Sequence, residues 1–139
     1  MHIHSNQLFP LIILLFSMSS FADTLTRYEY LQSRNSVIAD YDLAEKACDS
    51  LTSNANEICM AEANGKKRNA LARLYGVYKP SANARYQELT TSANAAYAIA
   101  LAKCNGIDVK DKSTCWSSAE RTKINAINAA GINWSQSLK

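Results

Sequence analysis

Sliding the chain along itself by 56 residues superimposes Tyr30, Tyr41, Cys48, Cys59 and Ala63 on Tyr86, Tyr97, Cys104, Cys115 and Ala119 without a gap. Ser36, Ala39, Ala44, Lys67, Asn69 and Ala70 meet identical residues at the same offset, in Ser92, Ala95, Ala100, Lys123, Asn125 and Ala126. In an alanine-rich chain the Ala matches can arise by chance; two tyrosines and two cysteines in register rarely do. A fixed internal period marks a repeat architecture, in which each unit is one supersecondary element that leaves an apolar face for its neighbour. The chain is therefore expected to be one all-α domain over 23–139 made of two copies of one small unit, about residues 26–80 and 81–137.

Each unit reads as helix, short polar loop, helix. Tyr30, Val37, Tyr41, Ala44 and Cys48 recur at helical spacing, as do Tyr86, Ala93, Tyr97, Ala100 and Cys104. Thr26-x-x-Glu29 offers a capping box at the start. Turn-forming residues lie between the paired cysteines: Asp49, Ser50, Thr52, Ser53 and Asn54 in the first unit, Asn105, Gly106 and Asp108 in the second. Asn54-x-x-Glu57 and Asp111 or Ser113 are candidate caps for the second helices. Those helices run through Ala61, Ala63, Ala70, Leu71 and Leu74, then through Ala119, Ile124, Ile127 and Ala130. Pro80 disfavours helix at Lys79 and separates the units. The spacing predicts helices over 26–48, 55–77, 81–104 and 112–136. The expected fold class is all-α, two tandem disulfide-stapled helical hairpins forming a small four-helix bundle. Leu, Ile and Val are sparse, so alanine is expected to supply close helix approach and covalent staples much of the stability.

The N-terminus speaks to compartment. Leu8 to Phe16 is an unbroken apolar run, too short to span a bilayer and of the length of a signal-peptide h-region, and Ser20-Phe21-Ala22 carries the small residues a signal peptidase requires. Residues 1–22 are expected to be a signal peptide cleaved after Ala22, leaving a periplasmic or secreted protein with no transmembrane segment. Both histidines, His2 and His4, and all three phenylalanines precede that point. The mature chain thus offers no imidazole base and no His-containing metal site. Four cysteines in an exported chain read as two disulfides. Ten residues between paired cysteines, where zinc sites use two to four, argue against metal, and no Cys-x-x-Cys redox motif is present. No cofactor is expected.

Two pairings remain open at this level. The local one joins Cys48 to Cys59 and Cys104 to Cys115. The alternative is a ladder between units, Cys48 with Cys115 and Cys59 with Cys104, because cysteines eleven apart on one unbroken helix share a face. Turn-forming residues inside both intervals favour the local form. In that form antiparallel partners have numbers summing to about 107 in the first unit and 219 in the second. Asp40 and Asp42 then come level with Lys66 and Lys67, Tyr30 with Val77 and Tyr78, and Tyr86 with Trp134.

The net charge is only +3, but it is unevenly placed. Residues 63–87 hold Lys66, Lys67, Arg68, Arg73, Lys79 and Arg85 and no acid, whereas residues 23–62 hold eight acids and three bases. The six bases read either as an anion-facing strip for phosphate, lipopolysaccharide or an acidic protein, or as a solvated face neutralised by the acidic helix beside it. Nucleic acid is not an expected partner, because no recognised module interleaves stacking aromatics with these bases. Glu45 and Glu62 can face each other near the first loop but belong to no catalytic motif. Ser-x-x-Lys, Gly-x-Ser-x-Gly and Gly-rich phosphate loops are absent. No catalytic residue is assigned, and the chain reads as a non-enzymatic scaffold or binding module for a protein or envelope component. The alternative is a small thiol-dependent redox or stress factor using one labile cysteine pair.

The motif Tyr-x6-Cys-x10-Cys-x3-Ala, together with Cys48-Asp49-x-Leu51-x-x-Asn54-Ala55, Glu62-Ala63, Lys79-Pro80 and Ala84-Arg85-Tyr86, resembles a group of Ala-rich exported proteobacterial proteins with duplicated Cys-x10-Cys helical hairpins. The resemblance covers nearly the whole mature chain and implies no activity. Its loop pattern is missing from the second unit, where Asn105 to Thr114 lacks the Leu and Asn-Ala. The Leu-Thr-x-x-Gln motif of helical periplasmic stress chaperones is also absent, since Leu25-Thr26 is followed by Glu29.

Overall fold

The computed structural model of the protein describes residues 24–136; the expected signal segment lies outside the described residues. Four helices follow one another, α1 (Arg27–Cys48), α2 (Ser53–Tyr78), α3 (Ala82–Asn105) and α4 (Val109–Gln136). Cys48 is joined to Cys59 and Cys104 to Cys115, so each hairpin is stapled within itself. Such bonds persist in an oxidising, non-cytoplasmic compartment. Helix α1 packs on α2, α2 on α3 and α3 on α4, and no other pair of helices meets among the described residues. The four-helix bundle is thus an open one, a single antiparallel row with two broad faces.

Local chemistry sets the boundaries. The Thr26 hydroxyl accepts from Glu29 N at 3.3 Å and the Glu29 carboxylate accepts from Thr26 N at 2.8 Å, the reciprocal capping box that starts α1. The Thr26 N–H, together with the Thr26 hydroxyl donating to the same Oε2 at 2.7 Å, lowers the Glu29 carboxyl from its usual value. After Pro80, Ser81 caps α3 by accepting from Ala84 N at 3.0 Å. The second helices depart from expectation. Helix α4 begins at Val109, ahead of both candidate caps. Helix α2 begins at Ser53, whose φ of 53° turns the chain into the helix. Asn54 therefore lies inside α2 and does not serve as its N-cap.

Its side chain works between hairpins instead. Asn54 Nδ2 donates to Ala102 O at 2.6 Å, and Asn56 Nδ2 donates to Cys48 O at 2.8 Å. Both acceptors lie in the last turn of a helix, where carbonyls have no intrahelical donor. One loop thus satisfies the ends of its two neighbouring helices. Gly106 completes the fit, because a Cβ there would collide with the Asn54 side chain. The counterparts of Asn54 and Asn56 at the 56-residue offset are Lys110 and Lys112. Among the described residues α4 has a neighbouring helix on one flank only, and none stands where the counterpart of Asn54 would bond. Asn54→Ala should cost about 1 kcal/mol, read as a lower denaturation midpoint at unchanged slope.

The core is small in every sense. Its buried apolar residues are Cys48, Cys104 and seven alanines, among them Ala63, Ala84, Ala95 and Ala102, with Gly65 buried beside them. A row one helix deep covers two flanks of an inner helix and one flank of an outer helix. Larger side chains therefore sit at the margins. Ile124 is 47% exposed because α4 has only α3 to pack against.

Candidate functional site

The two hairpins repeat each other in three layers. The disulfide closes the loop end. At the open end Tyr30 stacks on Tyr78 with ring centres 4.4 Å apart, and Tyr86 meets Trp134 at 6.0 Å. Between them Lys67 Nζ lies 3.3 Å from the centre of the Tyr41 ring and Lys123 Nζ lies 4.0 Å from that of Tyr97. Each layer is displaced by 56 residues, and the partner numbers sum to about 108 and 220, one residue from the register that the local pairing requires. Lys67 stacks on Tyr41. No ion pair joins Lys66 or Lys67 to Asp40 or Asp42 among the described residues.

Tyr41 differs from Tyr97 in its polar company. Its hydroxyl donates to Glu45 Oε1 at 3.0 Å, and that carboxylate pushes the phenol above its ordinary pKa. A group whose pKa is raised on folding contributes stability that is complete below its unfolded value, about 10 for Tyr, and lost as pH rises through the folded value. In an alkaline absorbance titration Tyr41 should ionise later in the wild type than in Glu45→Gln. Tyr41→Phe should flatten the alkaline loss of stability.

Grooves run along one face of the row. Val37, Asp40, Tyr41, Ala44, Ala63, Lys66, Lys67 and Ala70 line a groove of about 230 Å³ between α1 and α2. The groove between α3 and α4 holds the counterpart of every one of these residues and reaches about 620 Å³. Tyr41, Ala44, Ala63, Lys67 and Ala70 keep identical counterparts in Tyr97, Ala100, Ala119, Lys123 and Ala126. The other three shrink: Val37 becomes Ala93, Asp40 becomes Ala96, and Lys66 becomes Thr122. The wider groove continues to the Cys104–Cys115 bridge and Ile107, with Lys103, Asp111, Thr114 and Ser118 around it. Lys66 also lines a groove between α2 and α3, as does Ala96, so the clefts open on the same face. Asn69, where two of these clefts adjoin, carries a buried Oδ1 with no hydrogen-bond partner.

The six bases of residues 63–87 do not form one strip. Lys66 borders the α1–α2 groove and Lys67 folds onto Tyr41. At 3.6 residues per turn Arg68 points about 200° away from Lys66. Arg73, Lys79 and Arg85 gather near the α2–α3 turn, where Arg73 and Arg85 line one recess and Arg85 pairs with Glu88 at 2.9 Å. Lys79 Nζ lies 5.6 Å from the Tyr78 ring centre. Glu45 and Glu62 are engaged separately, the first by Tyr41 and the second by Lys103 of α3 at 3.4 Å. The widened groove was not singled out from the sequence, although its signal was there: three of eight aligned positions lose bulk.

No protein-family model, curated protein or solved structure matches the chain.

Proposed function

We propose that the protein is a non-enzymatic, disulfide-stapled helical binding module of the periplasm, and that its binding face is the grooved one. The observation that carries this reading is the asymmetry of the duplicated groove. One copy is filled by Val37, Asp40 and Lys66, while the other is opened by Ala93, Ala96 and Thr122 around the same Tyr–Lys pair. A scaffold with no further duty gains nothing from such a cleft, since lost packing costs stability. The test is to graft the first copy into the second with Ala93→Val, Ala96→Asp and Thr122→Lys, residues the hairpin already accommodates. Components retained from envelope extract by the wild type should be lost by the graft; equal retention defeats the groove reading. Intact mass of the exported protein should begin at Asp23, and a mass that includes Met1 to Ala22 would remove the basis for the periplasm.

A second reading rests on the cysteines. Cys48 and Cys104 are fully buried, whereas Cys59 and Cys115 are half-buried, so an attacking thiolate would approach each bridge from its second cysteine. A redox or stress factor would use such access. Titration of protein taken from the periplasm separates the two: an absence of thiols that resists mild reductant supports the module, and ready reduction of one pair supports the redox factor.

A further inference from the structure

The two ends of the row differ in chemistry. Antiparallel packing gathers the start of α1, the end of α2, the start of α3 and the end of α4 at one end, and both disulfide loops at the other. The whole chain has seven Tyr and two Trp. Tyr28, Tyr30, Tyr75, Tyr78, Tyr86 and Trp134 all lie within about two turns of the first end. Pairing does not bury them all: Tyr28 is 74% and Trp134 40% exposed, and Ile132 beside them is 58% exposed.

Arg27, Arg73, Lys79 and Arg85 stand at the same end. The two acids near them are occupied. Glu29 closes the α1 cap through Thr26, and Glu88 holds Arg85. At the disulfide end Lys46, Lys110 and Lys112 are matched by Asp49, Asp108 and Asp111, and Lys103 is held by Glu62. Cationic charge in excess therefore coincides with exposed aromatic rings at one end only.

That combination suits the boundary between water and lipid. Tyr and Trp settle at headgroup level, and Lys and Arg are drawn to anionic leaflets. Among the described residues no helix is long and apolar enough to cross a membrane. We propose that the open end of the row docks peripherally on an anionic phospholipid surface, with the α2–α3 turn against the headgroups. Arg73 and Arg85 share the recess beside that turn with Glu88, which one N–H of Arg85 already engages, so a headgroup phosphate placed there meets the Arg73 guanidinium and the remaining donors of Arg85. This surface is separate from the α3–α4 groove, and the inference stands without it.

The tryptophans provide an internal reference. Trp134 belongs to this end and Trp116 lies about 27 Å away along α4, at 1.5 Å per residue. Trp116→Phe and Trp134→Phe each leave one reporter, to be mixed with vesicles of phosphatidylcholine and phosphatidylglycerol carrying brominated acyl chains. Trp134 should shift to the blue and be quenched while Trp116 is unchanged. Pure phosphatidylcholine vesicles should not bind, and added salt should release the protein. Arg73→Gln with Lys79→Gln should weaken partition roughly tenfold or more, with helical circular dichroism confirming the fold. Arg85 is left in place because its loss would free Glu88. Quenching of Trp116 instead, equal binding to neutral vesicles, or no vesicle binding would overturn the proposal. Displacement by millimolar inorganic phosphate would do the same, since it would reassign the recess to a soluble anion. The groove graft should bind vesicles as the wild type does, which keeps failure of this inference distinct from failure of the groove reading.

Discussion

Loss of both disulfides is expected to unfold the protein at room temperature. Among the described residues the buried positions hold cysteine, alanine and glycine, and no larger side chain. Burial of a Leu or Phe contributes about 1.5–3 kcal/mol, and no position in this row gains that in full. Each bridge closes a loop across eleven positions, which contributes about 3 kcal/mol in the chain-entropy model. Two of them account for much of the roughly 5–15 kcal/mol that a small domain possesses. A reductant or the four-fold Cys→Ala variant should abolish the cooperative thermal transition followed by circular dichroism. A single pair, Cys48→Ala with Cys59→Ala, should lower the midpoint and leave the second hairpin folded. The same covalent plan predicts that cutting the chain at a specific protease site inserted between Lys79 and Pro80 yields two fragments, each with its own intact bridge on a non-reducing denaturing gel. A linked pair of fragments would contradict the pairing seen here.

The second large effect concerns the contact between hairpins. A Cβ built on Gly65 would lie 3.3 Å from Ile99 Cδ1 and 3.4 Å from Ala95 Cβ, so α2 and α3 approach as closely as a bare glycine permits. The residue at the corresponding place in α4 is Arg121, which is exposed on the outer edge of the row. Gly65→Arg, importing what the second copy carries, should force α2 from α3 and cost at least about 3 kcal/mol through overpacking and a buried charge. The hairpins should remain stapled, so the visible result is an early transition and faster amide exchange in Ala84 to Ala102. Gly65→Ala should be close to neutral, because the gain in helix propensity offsets a contact that the flexible tip of Ile99 can relieve. Near-wild-type stability of Gly65→Arg would show that the hairpins do not depend on this interface.

Arg121 also illustrates how the duplication became readable. Identities at the 56-residue offset concentrate where each hairpin folds on itself, at Tyr41, Cys48, Cys59, Ala63 and Lys67 and their counterparts. That surface sees the same neighbour in both copies. Divergence falls where the copies differ in surroundings: Gly65 faces α3, but Arg121 is exposed; Asn54 bonds Ala102, but no helix of the described residues stands in the same place beside Lys110. The absence of an Asn at the place of Asn54 in the second loop therefore has a positional reason.

The sequence by itself determined the all-α class, the duplicated hairpins, the capping box at Thr26 and the level at which Tyr30 meets Tyr78 and Tyr86 meets Trp134. These depend on helical period, on turn chemistry and on partners within one hairpin, all of which are local along the chain. Tertiary structure alone decided the rest. It selected the local pairing of the cysteines over the ladder and folded Lys67 onto Tyr41. It moved Asn54 from its own helix to its neighbour's end and left Ile124 in solvent. Helical periodicity states which residues share a face, but the number of neighbouring helices sets how many faces are covered. With small alanines at the contacts in place of a stripe of large apolar side chains, the pattern did not say that the helices would stand in an open row.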